Sequence, residues 1–228
     1  MNSQHIFSLD FVSASRALSD IRLDSYKRSN FDLDEEVVID RYLHNIDLCK
    51  ELYLPLNFLE VTFRNEMDRC LTAFAGKFWY KESWLQEAEK KSIQKTEKTL
   101  KALGKSLKKD SIIASQTLGF WTGFFQRRYN STLWSKDYNL LSKKNNYVFL
   151  RHTTNRKDRH REVVYKKINK IRILRNRVFH YEPIWHDLQL SLKYQDILEL
   201  LFWINPDVAD FVKMSSSNFQ IMCIRRRP

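Results

Sequence analysis

Hydrophobic side chains recur every three or four residues along most of this chain, which is the spacing of one face of an α-helix. Asp32 or Asp34 is expected to cap the first long helix, Pro55 to begin the next one and Gly76 to end it. The predicted helices span about residues 34–52, 55–74, 83–109, 111–129, 159–180, 187–203 and 206–214. The pattern therefore predicts an all-α protein.

The segments between and beyond these helices carry weaker patterns. Residues 130–158 are expected to form a long connection. Asp187 is expected to cap the predicted helix over residues 187–203. Residues 1–12 and 215–228 are expected to be loose ends. Glycine and proline number only four each, and no repeat or sharp change of composition divides the chain. We therefore expect one helical domain over residues 1–228.

The chain carries a large excess of positive charge, with 39 Lys and Arg against 27 Asp and Glu and a net charge of +12. Such an excess indicates polyanionic partners, namely RNA, DNA or an acidic protein. Three cysteines without a CxxC pair argue against a disulfide scaffold and suit a reducing compartment. No stretch approaches the roughly 18 apolar residues of a membrane span, and the N-terminus lacks a signal-peptide pattern. We expect a cytoplasmic protein without membrane contact.

Most of the net charge lies in residues 151–180, called the basic segment below. It holds eleven Lys or Arg and two acids, so 11 − 2 gives +9 of the total of +12. Two interpretations are open: a surface that binds RNA phosphates, or the solvated face of a helix. The residues expected to contact RNA are Arg151, Arg156, Lys157, Arg159, Arg161, Lys166, Lys167, Lys170, Arg172 and Arg177.

Arg175, Asn176 and His180, called the Arg-Asn-His motif below, lie near the end of the basic segment. Asn176 and His180 are four residues apart and share a helix face, and Pro183 requires the helix to end near His180. An imidazole can take and give protons near neutral pH, and a guanidinium can meet charge that builds on a phosphate. These groups suit metal-free RNA cleavage, with Asn176 orienting the imidazole or the phosphate. The alternative is a surface arginine beside a histidine that caps a helix.

The motif resembles the Arg-polar-x(3–5)-His signature of HEPN domains, and the wider sequence resembles the Abi-like (abortive infection) branch of that superfamily. The matching pieces run in the expected order over about residues 18–205. They are Leu18-Ser19-x-x-Arg22-Leu23-x-x-Tyr26, Tyr42-Leu43-x-Asn45, Leu59-Glu60-Val61-x-Phe63-Arg64-Asn65, Gly76-x-x-Trp79, Leu118-Gly119-Phe120-Trp121 and Arg175-Asn176-x-x-x-His180-x-Glu182-Pro183. The chain departs from the pattern at His44, where Trp is common, and this concerns packing more than chemistry.

The resemblance implies a HEPN-like helical bundle with additional helices, usually a homodimer in which the motifs of two subunits face one cleft. It implies metal-independent RNA cleavage in phage defence or toxin–antitoxin systems, without a cofactor. Arg175 and His180 take the catalytic roles by this match, with Asn176 in support. Because some family members only bind RNA or accompany nucleotidyltransferases, two other functions stay open. One is a non-catalytic RNA-binding or regulatory module, and the other is a helical partner of an acidic antitoxin.

Three residues near the motif have open roles. Arg64 and Asn65 either line the same pocket as the motif, or Arg64 only pairs with Glu60 one helical turn away. Tyr181 either stacks on an RNA base or seals the end of the helix. His152 and His160 lie among cations that would repel a metal ion, so no metal site is expected.

Overall fold

The computed structural model describes residues 10–27, 34–135, 140, 149–153, 157, 160–219 and 222. Over these residues the chain forms α-helices and two short 3₁₀ helices, with no β-strand, which confirms the predicted all-α class. The α-helices are α1 (Phe11–Leu18), α2 (Asp20–Asp24), α3 (Glu35–Ala75), α4 (Glu87–Ala102), α5 (Lys109–Ala114), α6 (Leu118–Gly123), α7 (Arg161–Phe179), α8 (Leu190–Ile204) and α9 (Pro206–Ser215). The 3₁₀ helices are Trp79–Lys81 and Arg127–Tyr129.

Helix α3 is a single helix of 41 residues, so the predicted break before Pro55 is wrong. Proline removes one backbone hydrogen bond and costs a helix interior about 3 kcal/mol. The neighbours Leu52, Leu56 and Leu59 are all buried, and each such side chain contributes about 1.5–3 kcal/mol. Burial along this face therefore outweighs the local cost of Pro55.

Both ends of α3 match the sequence-based expectation. The Asp34 carboxylate accepts hydrogen bonds from the backbone N–H groups of Glu36 and Val37 at 3.1 and 3.4 Å, so Asp34 rather than Asp32 is the described N-cap. Gly76 follows the last turn with a φ of 84°, a conformation that glycine adopts without strain. A continuous helix of this length spans about 60 Å at about 1.5 Å per residue.

Residues 111–129 do not form the single core helix that their apolar composition predicts. The segment instead contains α5, α6 and the second 3₁₀ helix. Gln116 lies between α5 and α6, and its buried side chain bonds Ser92 and Thr96 of α4 at 2.7 and 3.0 Å. The Thr117 hydroxyl then accepts from the Phe120 N–H and starts α6. Two polar residues with local and tertiary partners thus interrupt the helix.

The buried hydrophobic residues of the described ranges form one continuous cluster. Helix α3 contacts α1, α2, α5, α6, α7, α8 and α9, and α8 also packs against α7 and α9. At one end of α3, Trp79 packs against Trp121 and Phe124 at ring distances of 6.0 and 5.7 Å. The long helix α3 is therefore the central element of the fold, and it packs against α7, the helix that carries the Arg-Asn-His motif.

The predicted segments outside the helices differ from the structure in three places. Asp187 does not cap α8, which begins at Leu190; its carboxylate accepts from the Gln189 N–H at 2.9 Å and shapes the turn before the helix. Residues from Phe11 are already helical, and Phe219 is buried against Tyr194 at 4.7 Å, so the packed structure extends into both segments expected to be loose. Most of the predicted connection 130–158 lies outside the described residues.

Candidate functional site

Helix α7 ends where the sequence predicts, and a specific turn fixes that end. His180 is the C-cap, and the next residue, Tyr181, has a φ of 59°. The Tyr181 N–H donates to the Val178 carbonyl at 3.2 Å, and the Glu182 N–H donates to the Arg177 carbonyl at 2.8 Å. This pair of bonds is a Schellman motif, in which the left-handed position usually holds glycine. A tyrosine in that position is energetically unfavourable by about 1 kcal/mol.

The Arg175 side chain is held by two groups. Its Nε donates to Glu60 Oε2 of α3 at 2.9 Å, and its guanidinium lies over the Phe179 ring, 4.3 Å from the ring centroid. The two charged side chains are only 26% and 18% exposed. A planar guanidinium fixed by a carboxylate and an aromatic face has a defined orientation. The Nη groups of Arg175 are the donors that can meet a phosphate.

Asn176 and His180 are presented differently from Arg175. Asn176 is half-buried and His180 is exposed, and they lie one turn apart on the same face of α7. Within the described part of the chain, neither side chain makes a hydrogen bond or an ion pair. Both side chains are therefore available to a ligand, whereas Arg175 is already oriented by the protein.

Arg64 and Asn65 occupy separate surroundings. The Arg64 guanidinium donates to the Ala114 carbonyl at 3.2 Å and to Asn65 Oδ1 at 3.3 Å, while Glu60 binds Arg175. The predicted alternative of an Arg64–Glu60 pair is therefore replaced by a Glu60–Arg175 pair. Asn65 lines a polar pocket of about 740 Å³ whose wall also contains Arg69, Arg151 and Asp207. Asn65 thus lies on another face of α3 from Glu60.

The last turn of α7 borders a cavity of about 810 Å³, called the tyrosine pocket below. Its walls come from α1, α2, the N-terminal half of α3 and the end of α7. The lining residues are Ala17, Leu18, Arg22, Tyr26, Tyr42, Asn45, Ile46, Cys49, Lys50, Tyr53, Val178, Phe179 and Tyr181. Of the residues expected beside the motif, Tyr181 lines this pocket.

Hydrogen bonds from distant parts of the chain hold the turn after α7. Asn45 Oδ1 accepts from the backbone N–H groups of Ile184 and Trp185 at 2.6 and 3.1 Å, and its Nδ2 donates to the Tyr26 hydroxyl at 3.1 Å. The Arg22 guanidinium donates to the Tyr181 carbonyl. Three residues of the resemblance pattern, Arg22, Tyr26 and Asn45, therefore meet at the end of the motif helix.

The ten predicted RNA contacts divide into bound and exposed cations. Arg161 donates to the Phe125 carbonyl, and the Lys167 ammonium binds Asp196 and Glu199. Burial lowers the pKa of Lys167, but these two carboxylates outweigh it and the net shift is upward. Such ion-paired cations stabilise the fold and are poorly placed to meet RNA.

The other predicted contacts are more accessible. Lys157, Lys166 and Lys170 are exposed, and Arg172 is half-buried and donates to Asn169 Oδ1 at 3.1 and 3.0 Å. Arg151 is exposed and makes a longer ion pair with Glu66 at 3.9 Å. Arg177 donates to the Pro183 carbonyl and also pairs with Glu182 at 3.6 Å, so it belongs with the bound cations. Arg156 and Arg159 lie outside the described residues. The exposed charge on α7 is thus smaller than the composition suggests.

The sequence missed three groups that shape the site. Apart from the resemblance pattern, Glu60 was expected only as a possible partner of Arg64, and Arg22 and Phe179 were given no role. These three residues nevertheless orient Arg175 and fix the Tyr181 turn. Glu60 and Arg175 are 115 residues apart, so no local sequence pattern indicates that they pair. Phe179 was detectable in principle, because residues four apart on a helix are neighbours.

No protein-family model, curated protein or solved structure matches this chain. The likeness to HEPN domains therefore rests on the chain's own motifs. Across the described residues, no group of three or more His, Cys, Asp and Glu side chains is placed to hold a metal ion. None of the helices in that part of the chain has the length and apolar character needed to cross a membrane.

Proposed function

We propose that this protein is a metal-independent endoribonuclease of the HEPN type, acting in bacterial phage defence. The observation that carries the proposal is the last turn of α7, where Arg175 is oriented by Glu60 while Asn176 and His180 stay available to a ligand. The exposed cations Lys166 and Lys170 on the same helix support an RNA substrate. The role in defence rests on the resemblance alone.

The reaction would use the ribose 2′-hydroxyl as the nucleophile. The 2′-oxygen forms a bond to the adjacent phosphorus, and the bond from phosphorus to the 5′-oxygen breaks. A base takes the 2′-hydroxyl proton and an acid gives a proton to the leaving 5′-oxygen, so that the products are a 2′,3′-cyclic phosphate and a 5′-hydroxyl. His180 is the residue suited to move a proton in this reaction.

Arg175 would stabilise the negative charge that builds on the phosphoryl oxygens. A guanidinium that is fixed before the substrate arrives needs little reorganisation during the reaction. The Glu60 carboxylate and the Phe179 ring supply that fixation through Nε and the guanidinium face. Asn176 would donate a hydrogen bond to a phosphate oxygen or orient the imidazole.

The experiment that tests the proposal uses purified full-length protein and a mixture of defined single-stranded RNAs in EDTA. Cleavage should give fragments that end in a cyclic phosphate. Replacing the 2′-hydroxyl by hydrogen at the mapped cleavage site should abolish the cut there and leave cuts elsewhere unchanged. Cleavage that persists at the 2′-deoxy nucleotide, or that EDTA removes, would contradict this mechanism.

A second candidate is a non-catalytic RNA-binding module. The exposed cations Lys166 and Lys170 favour it, because lysine side chains bind RNA phosphates without any catalytic group. It predicts salt-sensitive RNA binding without cleavage, and binding that survives His180→Ala.

We further propose that the active species is a homodimer with the two motifs facing one cleft, so that two copies of His180 could serve as base and acid. Light scattering of the purified protein tests this. A monomer at concentrations where RNA is cleaved would exclude it. Co-purification of an acidic protein from the native host would instead support an antitoxin partner.

A further inference from the structure

The tyrosine pocket has the size and wall chemistry of a small-molecule site. Its volume of about 810 Å³ falls within the roughly 300–1,000 Å³ typical of ligand pockets. Its lining is rich in aromatic rings, which come from two different parts of the chain. Tyr53 stacks on Phe179 with a centroid distance of 5.4 Å and an angle of 27°, and Tyr26 meets Tyr42 edge to face at 5.2 Å.

Two of these rings are strongly exposed. Tyr53 is 56% exposed and Tyr181 is 71% exposed, although both line a pocket with a largely apolar wall. Tyr181 also occupies the left-handed position that favours glycine, at a φ of 59°. The folded protein thus holds an exposed ring at a position where stability alone would select another residue. Exposed rings of this kind are suited to stacking against a planar group.

Among the residues that the structure describes, the charged ones that line the pocket are Arg22 and Lys50, and both are cations. Arg22 donates to the Tyr181 carbonyl, and because a guanidinium has five N–H donors it retains others for an anion. Lys50 is 71% exposed and pairs with Asp47 at 3.1 Å. The pocket therefore fits a ligand that is planar and apolar in one part and anionic in another.

The Phe179 ring connects the tyrosine pocket to the Arg-Asn-His motif. Phe179 stacks on Tyr53 and also lies beneath the Arg175 guanidinium at 4.3 Å. The lining residues Phe179 and Tyr181 flank His180 in the sequence. A nucleotide bound in this pocket would lie next to the residues proposed to act on RNA.

We propose that the tyrosine pocket binds one unpaired nucleotide of the RNA, with its base against the exposed rings of Tyr53 and Tyr181 and its phosphate at Arg22 and Lys50. The identity of the ligand as RNA rests on the proposed function. The pocket makes the enzyme selective for single-stranded RNA, because a paired base is not available for stacking on protein rings.

The test measures binding rather than cleavage. A fluorescent 2′-O-methyl tetranucleotide lacks the nucleophile, so its affinity for the full-length protein can be followed by anisotropy without turnover. Tyr181→Gly and Tyr53→Ala should each weaken binding by about 5-fold or more, since stacking of one base contributes about 1–3 kcal/mol. Tyr181→Gly replaces a left-handed residue by the one that favours this conformation, so the variant should stay folded.

Phe78→Ala is the matched control, because Phe78 is 53% exposed and does not line the pocket. It should change the affinity less than 2-fold. A hairpin that holds the same four nucleotides in its stem should bind wild type and both pocket variants equally. Equal affinities of wild type and both pocket variants for the single strand would overturn the proposal, as would a wild type that does not bind the single strand at low salt.

The outcomes separate this proposal from the ribonuclease proposal. If the pocket variants lose affinity but the wild type cleaves no RNA, the pocket assignment stands and the catalytic role fails. If the wild type cleaves RNA and the pocket variants bind normally, only the pocket assignment fails. A third outcome is saturable binding of laurate that depends on Tyr53 and Tyr181, without binding of the tetranucleotide. It would contradict a nucleotide as the ligand and identify an apolar anion instead.

Discussion

Glu60 and Arg175 are 115 residues apart in sequence, and their side chains meet at 2.9 Å. Because both are largely shielded from solvent, removing one partner leaves the other charge poorly compensated. Glu60→Gln and Arg175→Met should each lower the free energy of unfolding. The double variant should lose less than the sum of the two, with a coupling of about 1 kcal/mol. Urea denaturation gives the free energy of unfolding of the wild type, the two single variants and the double variant. Strictly additive losses would contradict an interaction between Glu60 and Arg175.

His186 gives a prediction for the effect of pH on stability. Burial, and then the nearby Arg177 charge, lower the pKa of His186 from its ordinary value of 6.5, while Asp187 acts in the opposite direction. The unfolded chain therefore binds this proton more readily than the folded protein. Stability from His186 is complete above about pH 6.5 and is lost as the pH falls below that value.

The measurement is the free energy of unfolding between pH 5 and pH 8 for wild type and His186→Gln. The wild type should lose stability on acidification more steeply than the variant. Parallel curves would contradict the lowered pKa.

At the residue scale, local sequence rules found some groups and missed others. Asp34, Gly76 and the end of α7 near His180 follow from capping and proline rules that act within a few residues. Contacts made by Glu60 and Arg22 depend on how distant helices pack, and no local pattern contains that information.

The length of α3 is the main feature at the scale of secondary structure. Pro55 lies inside this helix and is itself buried, although it leaves one backbone carbonyl without its usual donor. Pro55→Ala should restore that hydrogen bond and raise the free energy of unfolding by about 1 kcal/mol or more, after some loss of packing. Thermal and urea unfolding check the change. A variant less stable than wild type would show that the proline ring contributes more to packing than the missing bond costs.

Helix prediction succeeded where periodicity was strong and failed where burial overrode local signals. Helix α7 and helix α9 begin and end within about two residues of their predicted bounds. The predicted break at Pro55 and the predicted continuity of 111–129 are both wrong. In the first case buried leucines carry the helix through a proline, and in the second the buried Gln116 finds partners only through tertiary contact.

At the scale of the whole molecule, the positive charge is the feature that bears on RNA binding. Lys166 and Lys170 are exposed on α7, whereas Lys167 is held by two carboxylates. If the exposed pair contacts phosphates, the double variant Lys166→Ala with Lys170→Ala should bind single-stranded RNA with a weaker salt dependence. The slope of log K against the logarithm of the salt concentration should become shallower by about 1.4. Affinity measured across a series of salt concentrations gives this slope.

The control is the double variant Lys98→Ala with Lys101→Ala on α4, which removes two exposed charges from a helix without contact to α7. It should leave the slope nearly unchanged. Equal slopes for the two double variants would mean that net charge, rather than the α7 surface, attracts RNA.

The sequence predicted the fold class, the motif helix and the presence of concentrated charge, because these depend on composition and local spacing. It did not predict the tyrosine pocket, whose walls combine Arg22, Tyr53 and Tyr181 from three separate elements. It also overestimated the exposed charge, since the partners of Lys167 lie on α8. Such features arise only when the helices pack.

The most direct test of the account compares RNA cleavage by wild type, His180→Ala and His186→Ala, each as the full chain and each confirmed to be folded. His186 lies six residues from His180 and has no catalytic role in the proposal. His180→Ala should reduce the cleavage rate by about 10²-fold or more, the range typical of general acid–base catalysis, while His186→Ala stays close to wild type. A His180→Ala protein that cleaves as fast as wild type, or a folded wild type that leaves every RNA intact, would contradict the central claim.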